Sequence, residues 1–277
     1  MVTRRDYNAE AVEAAQSVLV EVLHLLGEYA GHIVVVGGWV PSLTVSNESD
    51  PHVGTTDVDL ALDHRHIEEG GYESIRRLLL ERGYEEGKQP FIFFRRVTIG
   101  DNSIKVEVDL LAGEYGGTGK KHRTQKAGGA RPRKARGCDL AFDDYTNVTV
   151  EAELPGGGHD RVTVHVASVM AFLVMKGMAL AARLKEKDAY DIYYCLSHYP
   201  GGPDAVADHI RPNASHKLVR EGLIKIRDRF SSPDNVGPVF VANFLEETDP
   251  DERRMVQRDA YERVARLMED LGLVDAA

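Results

Sequence analysis

Three aspartates and a glycine pair are the residues of this chain best suited to chemistry. Thr56-Asp57-Val58-Asp59-Leu60 and Val106-Glu107-Val108-Asp109-Leu110 both alternate charged and apolar residues, and Gly37-Gly38 precedes them directly after the apolar run Ile33-Val34-Val35-Val36. In an extended chain successive side chains point to opposite faces, so Asp57 and Asp59 share one face while Val58 and Leu60 share the other. In the second segment Ile104, Val106, Val108 and Leu110 make the apolar stripe and leave Lys105, Glu107 and Asp109 opposite. If the two strands are neighbours, three aspartates converge. Crowded carboxylates repel one another, and a bound divalent cation removes that cost. Magnesium, or manganese, suits such a site, because both take oxygen ligands from carboxylates, water and substrate phosphate.

Each feature also has a plainer reading. A half-solvated strand ordinarily shows one polar face, and Asp-x-Asp is a short pattern. A Gly-Gly after a strand is equally a tight strand-to-helix turn. Aspartate is depleted in strands, however, because its short side chain competes for backbone hydrogen bonds, so two on one strand face and a third nearby call for a reason. Glycine at the end of a strand lets the backbone approach a phosphate closely and offer N–H groups to it.

The elements that must position these residues read as an α/β layer. A helix is expected from about Asn8 to Ala30, with Asn8 as cap and Gly31 as stop, then the strand into the glycine pair and a short helix over Trp39 to Val45 with Pro41 in its first turn. Ser46 to Gly54 reads as loop. The first aspartate strand follows, then a helix over Tyr72 to Arg82, a strand over Phe91 to Thr98 and the second aspartate strand from Ile104. Strands over Val148 to Leu154 and Arg161 to Val166 close this lobe, giving one domain over 1–166. Residues 167–277 are expected to form a helical domain that completes the nucleotide site, with a long helix from Val169, another carrying Tyr190 to Leu196, and later helices over Ala214 to Arg229 and Pro250 to Leu271.

Gly37-Gly38, Asp57-x-Asp59 and Asp109, in that order, resemble the nucleotidyltransferase fold of the DNA polymerase beta superfamily. Within it the chain looks most like the AbiEii-like nucleotidyltransferases, a group that includes toxins of toxin–antitoxin systems. The further segment carrying that resemblance is Met175-Lys176-Gly177-Met178, followed by Arg183-Leu184-Lys185-Glu186-Lys187-Asp188-Ala189-Tyr190-Asp191. It implies a mixed sheet with flanking helices, and transfer of a nucleoside monophosphate from a nucleoside triphosphate in the presence of Mg²⁺ or Mn²⁺. By the same resemblance Asp57, Asp59 and Asp109 bind metal, and Gly37 and Gly38, with Ser42 as an extra donor, face the phosphates. It places Lys176 on a triphosphate oxygen and makes Asp188 a site-lining residue, with Asp191 structural or orienting. Local sequence alone equally allows Lys176 to snorkel along a helix edge, and Asp188 and Asp191 to make ordinary salt bridges with Lys185 or Lys187. On a continuous helix Lys176, Arg183 and Lys187 form a cationic stripe toward the nucleotide, which a break near Arg183 would spoil. Two departures are Val53, where related sequences often carry an arginine, and Trp39, where the group has a small or hydroxylated residue.

Composition narrows the partners. The 277 residues carry a net charge of -10, which argues against a polyanionic partner overall. Locally the sign reverses: Lys120, Lys121, Arg123, Lys126, Arg131, Arg133, Lys134 and Arg136 fall within 115–137 with no acidic residue, leaving 26 basic against 44 acidic residues elsewhere. Gly113 to Cys138 reads as a mobile insertion that attracts RNA, with a solvated flexible loop as the equal alternative. The expected acceptor is RNA, a tRNA 3′ end above all, and the resemblance implies a cognate antitoxin. An aminoglycoside-type small-molecule transferase and a non-catalytic nucleotide- or RNA-binding regulator are the alternatives. The two cysteines, Cys138 and Cys195, have no metal-like spacing, and with no signal core or membrane-length apolar run a cytoplasmic protein without a membrane partner is expected.

Overall fold

The structure, a computed structural model, describes residues 2–45, 47, 49–67, 69–114 and 132–274. The chain divides into two compact units, one of Tyr7–Thr44 and Gly54–Ser168, the other of Met1–Asp6, Val45–Val53 and Val169–Ala277.

The first unit is an eight-stranded mixed sheet with helices. Its strands are β1 (Ile33–Val36), β2 (Asp57–Leu62), β3 (Glu85–Glu86), β4 (Ile92–Ile99), β5 (Asn102–Ala112), β6 (Arg133–Lys134), β7 (Tyr145–Glu153) and β8 (His159–Ala167). They lie in the order β3-β4-β5-β2-β1-β8-β7, with β6 paired to β5. The two alternating segments are adjacent: β2 and β5 run parallel, with Val58 beside Val108 and Leu60 beside Leu110, all four fully buried. Burial of this stripe sets the register, since a slip of one residue would turn the acids into the core.

Helix α1 (Ala9–Leu25) packs against this sheet. Asn8 caps it, its side chain accepting from the Ala11 N–H at 2.8 Å. The helix is shorter than its apolar periodicity predicts, because Gly27–His32 winds as a 3-10 helix. Glu21 of α1 is buried and is satisfied by Arg82, Arg95 and the Tyr84 hydroxyl at 2.8–3.0 Å. Short helices α2 (Trp39–Thr44) and α4 (Leu140–Asp143) and the longer α3 (Glu69–Glu81) complete the unit.

The second unit is built from α5 (Val169–Arg183), α6 (Glu186–His198), α7 (Gly202–Ile210), α8 (Lys217–Arg229), α9 (Val236–Phe244) and α10 (Pro250–Asp270). Helices α5 and α8 cross backbone to backbone. A methyl group on Gly177 would overlap the Gly222 carbonyl, and one on Gly222 would lie 2.8 Å from the Val174 Cα. The segment Val45–Val53, which covers most of the loop expected over Ser46 to Gly54, belongs to this unit: the Tyr194 hydroxyl donates to the Asp50 carbonyl at 3.0 Å and the His52 side chain is buried among its helices. No helix among the described residues is long and apolar enough to cross a membrane.

Candidate functional site

The parallel pairing of β2 and β5 sets Asp59 directly beside Asp109 and Asp57 directly beside Glu107. Side chains alternate with period two, so all four acids share one sheet face. Glu107, already expected on this face by the alternation that identifies Asp109, is brought beside Asp57 by the strand pairing. The neighbouring strand β1 ends with Val36 beside Asp59, so the chain turns through Gly37 and Gly38 against the acidic row.

That turn explains the glycine pair. Gly37 has φ +71°, a conformation L side chains rarely adopt, and a Cβ there would overlap the Asp59 carboxylate. A Cβ on Gly38 would lie 2.7 Å from the Thr55 Cβ. Thr55 in turn donates its hydroxyl to Asp57 Oδ1. Trp39, an unexpected residue at its position, is buried and donates its indole N–H to the Asp57 carbonyl at 2.9 Å. A small residue could not make that brace. Ser42 donates to the Gly38 carbonyl at 3.5 Å, a long bond to its own helix backbone.

Asp109 is the most constrained of the acids. It is 7% exposed, Arg133 Nη2 lies 2.6 Å from its Oδ2, and its Oδ1 is buried without a hydrogen-bond partner. Burial pushes its carboxyl up to about 6; Arg133 opposes the rise, and Glu107 and Asp57 add to it. An orphaned buried oxygen among like charges fits a cation, and the all-oxygen donor set fits a hard divalent ion. Among the described residues the aspartates do not bring three ligand atoms within 4.8 Å of one another.

Two nearby groups carried no signal in the sequence. Cys138 is buried, and burial, then Asp139, Asp59 and Asp109, push its thiol up against the opposing effect of Arg133, so it stays protonated. Asp139, raised chiefly by burial, rests against Gly113, where a Cβ would overlap its carboxylate.

The second unit holds Lys176, Arg183, Lys187 and Asp188. The conditional cationic stripe does not form, because α5 ends at Arg183 and Leu184 takes φ +49° before α6 begins at Glu186. The cations instead gather on two buried acids. Lys176 Nζ lies 2.9 Å from Asp188 and 2.7 Å from Asp191, and Arg183 Nε 2.7 Å from Asp188. Lys187 also binds Asp191. Asp188 and Asp191 are 1% and 0% exposed. Burial works against both charges, yet Lys176 leads the cations that hold each carboxyl below its ordinary value. Lys176 is itself raised, as the two acids overcome its desolvation. His52 completes the cluster: its Nε2 is 2.9 Å from Asp191 Oδ1 and 3.3 Å from Lys187 Nζ. Burial first, then Lys187, push the imidazole down to about 4, against the pull of Asp191. Tyr190 and Tyr194 pack their rings near that of His52, at centroid distances of 5.6 and 4.8 Å.

Of the basic stretch, Lys120, Lys121, Arg123, Lys126 and Arg131 lie outside the described residues. The expectation of an unfolded insertion is corrected for its C-terminal part. Arg133 and Lys134 form β6 beside Leu111 and Ala112, the Ala135 N–H donates to the Ala112 carbonyl at 2.9 Å, and Cys138 is buried. Backbone pairing needs no apolar side chain, so a basic sequence can supply it. Arg136 pairs with Glu114 at 2.6 Å. Comparison with protein-family models and with curated proteins returns no match for this chain.

Proposed function

We propose that this protein is a metal-dependent nucleotidyltransferase that moves a nucleoside monophosphate from a nucleoside triphosphate to RNA, at a tRNA 3′ end. The observation carrying this reading is the register of β2 against β5, which aligns Asp59 with Asp109 and keeps Asp57 on the same face, beside a turn that only glycine fits because the Asp59 carboxylate lies over it. Asp57, Asp59 and Asp109 would hold Mg²⁺ or Mn²⁺, and an ion bound there would neutralise charge on the triphosphate. The Gly37-Gly38 turn lets phosphate approach the backbone. The acceptor hydroxyl oxygen bonds to the α phosphorus, the bond from that phosphorus to the bridging oxygen breaks, and pyrophosphate leaves. Asp109, the buried member of the set, takes the hydroxyl proton.

The RNA acceptor rests on the eight basic residues of 115–137, and a cognate antitoxin on the sequence resemblance alone. Lys176, Arg183, Lys187 and Asp188, with Asp191, enter as an ion-pair network of three cations on two buried acids at the α5–α6 corner. The test is incubation of the full chain with each labelled nucleoside triphosphate, Mg²⁺ and bulk tRNA, beside Asp59→Asn and Asp109→Asn. Label should reach the RNA 3′ end with the native protein and fall by about 100-fold or more in either variant. Equal labelling by native and variant proteins, or none with any triphosphate, would overturn the assignment.

A further inference from the structure

The pairing of β1 with β2 has a second chemically loaded end. Val36 and Asp59 mark one end, at the acidic face; Ile33 and Leu62 mark the other. The ladder continues one step beyond the latter, where the Asp63 N–H donates to the His32 carbonyl at 2.9 Å. The chain then folds back, with the N–H groups of His66 and Ile67 both donating to the Asp63 carbonyl at 3.1 and 2.9 Å. That turn returns the His66 ring onto His32, with centroids 5.2 Å apart and planes inclined by 10°.

We propose that His32, Asp63 and His66 form a transition-metal site of the zinc class, separate from the acidic face. One ligand atom from each of the three lies within 4.8 Å of the others. Two imidazoles and a carboxylate are the donor set that zinc takes when three protein ligands leave a fourth position open, whereas magnesium is served by oxygen alone. The carboxylate is anchored. Asp63 is 4% exposed, its Oδ1 accepts from the Arg65 N–H at 3.0 Å and from Arg65 Nε at 2.8 Å, and its Oδ2 faces Arg65 Nη2 at 3.1 Å and His66 Nδ1 at 2.8 Å. Arg65 thus acts as the outer partner that orients a ligand. The histidines are accessible: His66 is exposed and His32 half-buried. A metal held here would staple the entry of β1 to the turn that follows β2.

The site is tested with tag-free, full-length protein stripped with EDTA and titrated with Zn²⁺ against a chromogenic chelator, Co²⁺ serving as an optical reporter. One equivalent should bind and survive in Asp57→Asn/Asp59→Asn. Loss of an outer-shell partner alone costs about 10–100-fold in affinity, so His32→Ala and His66→Ala should each weaken that equivalent by at least about tenfold. Because the His66 side chain is exposed, H66A leaves the core untouched. Unchanged affinity in H66A, loss of the equivalent in the Asp57/Asp59 variant, or no Zn²⁺ bound by the native protein would each overturn the proposal. None of these readouts depends on nucleotidyl transfer.

Discussion

Replacing His52 should change how stability of the helical unit depends on pH. Its imidazole is 1% exposed and stays neutral in the folded protein down to about pH 4, against an ordinary value of 6.5. Between those values the unfolded chain binds a proton that the folded chain refuses, so folding stability rises with pH across this window and is lost as pH falls through it. Each pH unit of that difference is worth about 1.4 kcal/mol, so acidification from pH 7 to 4 should remove about 3 kcal/mol through His52 alone. Asp191 and Asp188, held below their ordinary value, add a slope of the same sign only toward the acid end of this window, as the unfolded carboxyls begin to protonate, and they do so in native and variant alike. In His52→Gln the amide can still donate to Asp191 but does not titrate. Urea unfolding followed by far-ultraviolet circular dichroism at a series of pH values gives the difference between native and variant, in which shared titrations such as that of Asp109 cancel. The native protein should lose about 3 kcal/mol relative to the variant on going from pH 7 to 4. A difference that is flat with pH would show that His52 takes up a proton as readily in the folded as in the unfolded chain, and would refute the reasoning.

Lys176→Met leaves Asp188 and Asp191 buried without their shared ammonium and should cost about 3–5 kcal/mol in urea unfolding, since breaking a buried pair strands its charge. Arg183→Gln should cost at most about 1 kcal/mol, because the Arg183 side chain is 45% exposed. Gly37→Ala puts a methyl group into the Asp59 carboxylate at φ +71° and should cost about 1–3 kcal/mol in stability, with transfer activity falling further than stability does. Native-like activity in G37A would remove the steric role assigned to that glycine.

What could be read in advance divides along physical lines. The alternation in β2 and β5 was legible because both strands bury one face, and Val58, Leu60, Val106 and Val108 mark it. Their adjacency was not, since parallel pairing is decided by the whole sheet and β4 comes between them in sequence. The corner at Leu184 was hidden by its composition: Arg183-Leu184-Lys185-Glu186 is a run of good helix formers with no glycine or proline to mark a stop. The buried acid–base cluster decides that corner instead. β6 escaped for the reverse reason, as a two-residue strand of Arg133 and Lys134 has no apolar period to detect. Asn8 as a cap was readable from type and position alone, whereas His52 in a loop and the His32, Asp63 and His66 trio gain meaning only when distant segments meet.

The Arg133 guanidinium on Asp109 carries a thermodynamic consequence. Any divalent ion taking Asp109 Oδ2 must first evict a resident cation, so occupancy there is a swap and not a simple addition. Two positive charges arrive as one departs, and the net gain is a single charge. The displaced side chain belongs to β6, whose backbone pairing to Leu111 and Ala112 can persist while the guanidinium turns away. Monovalent salt then enters twice, loosening the arginine that has to leave and screening the ion that replaces it.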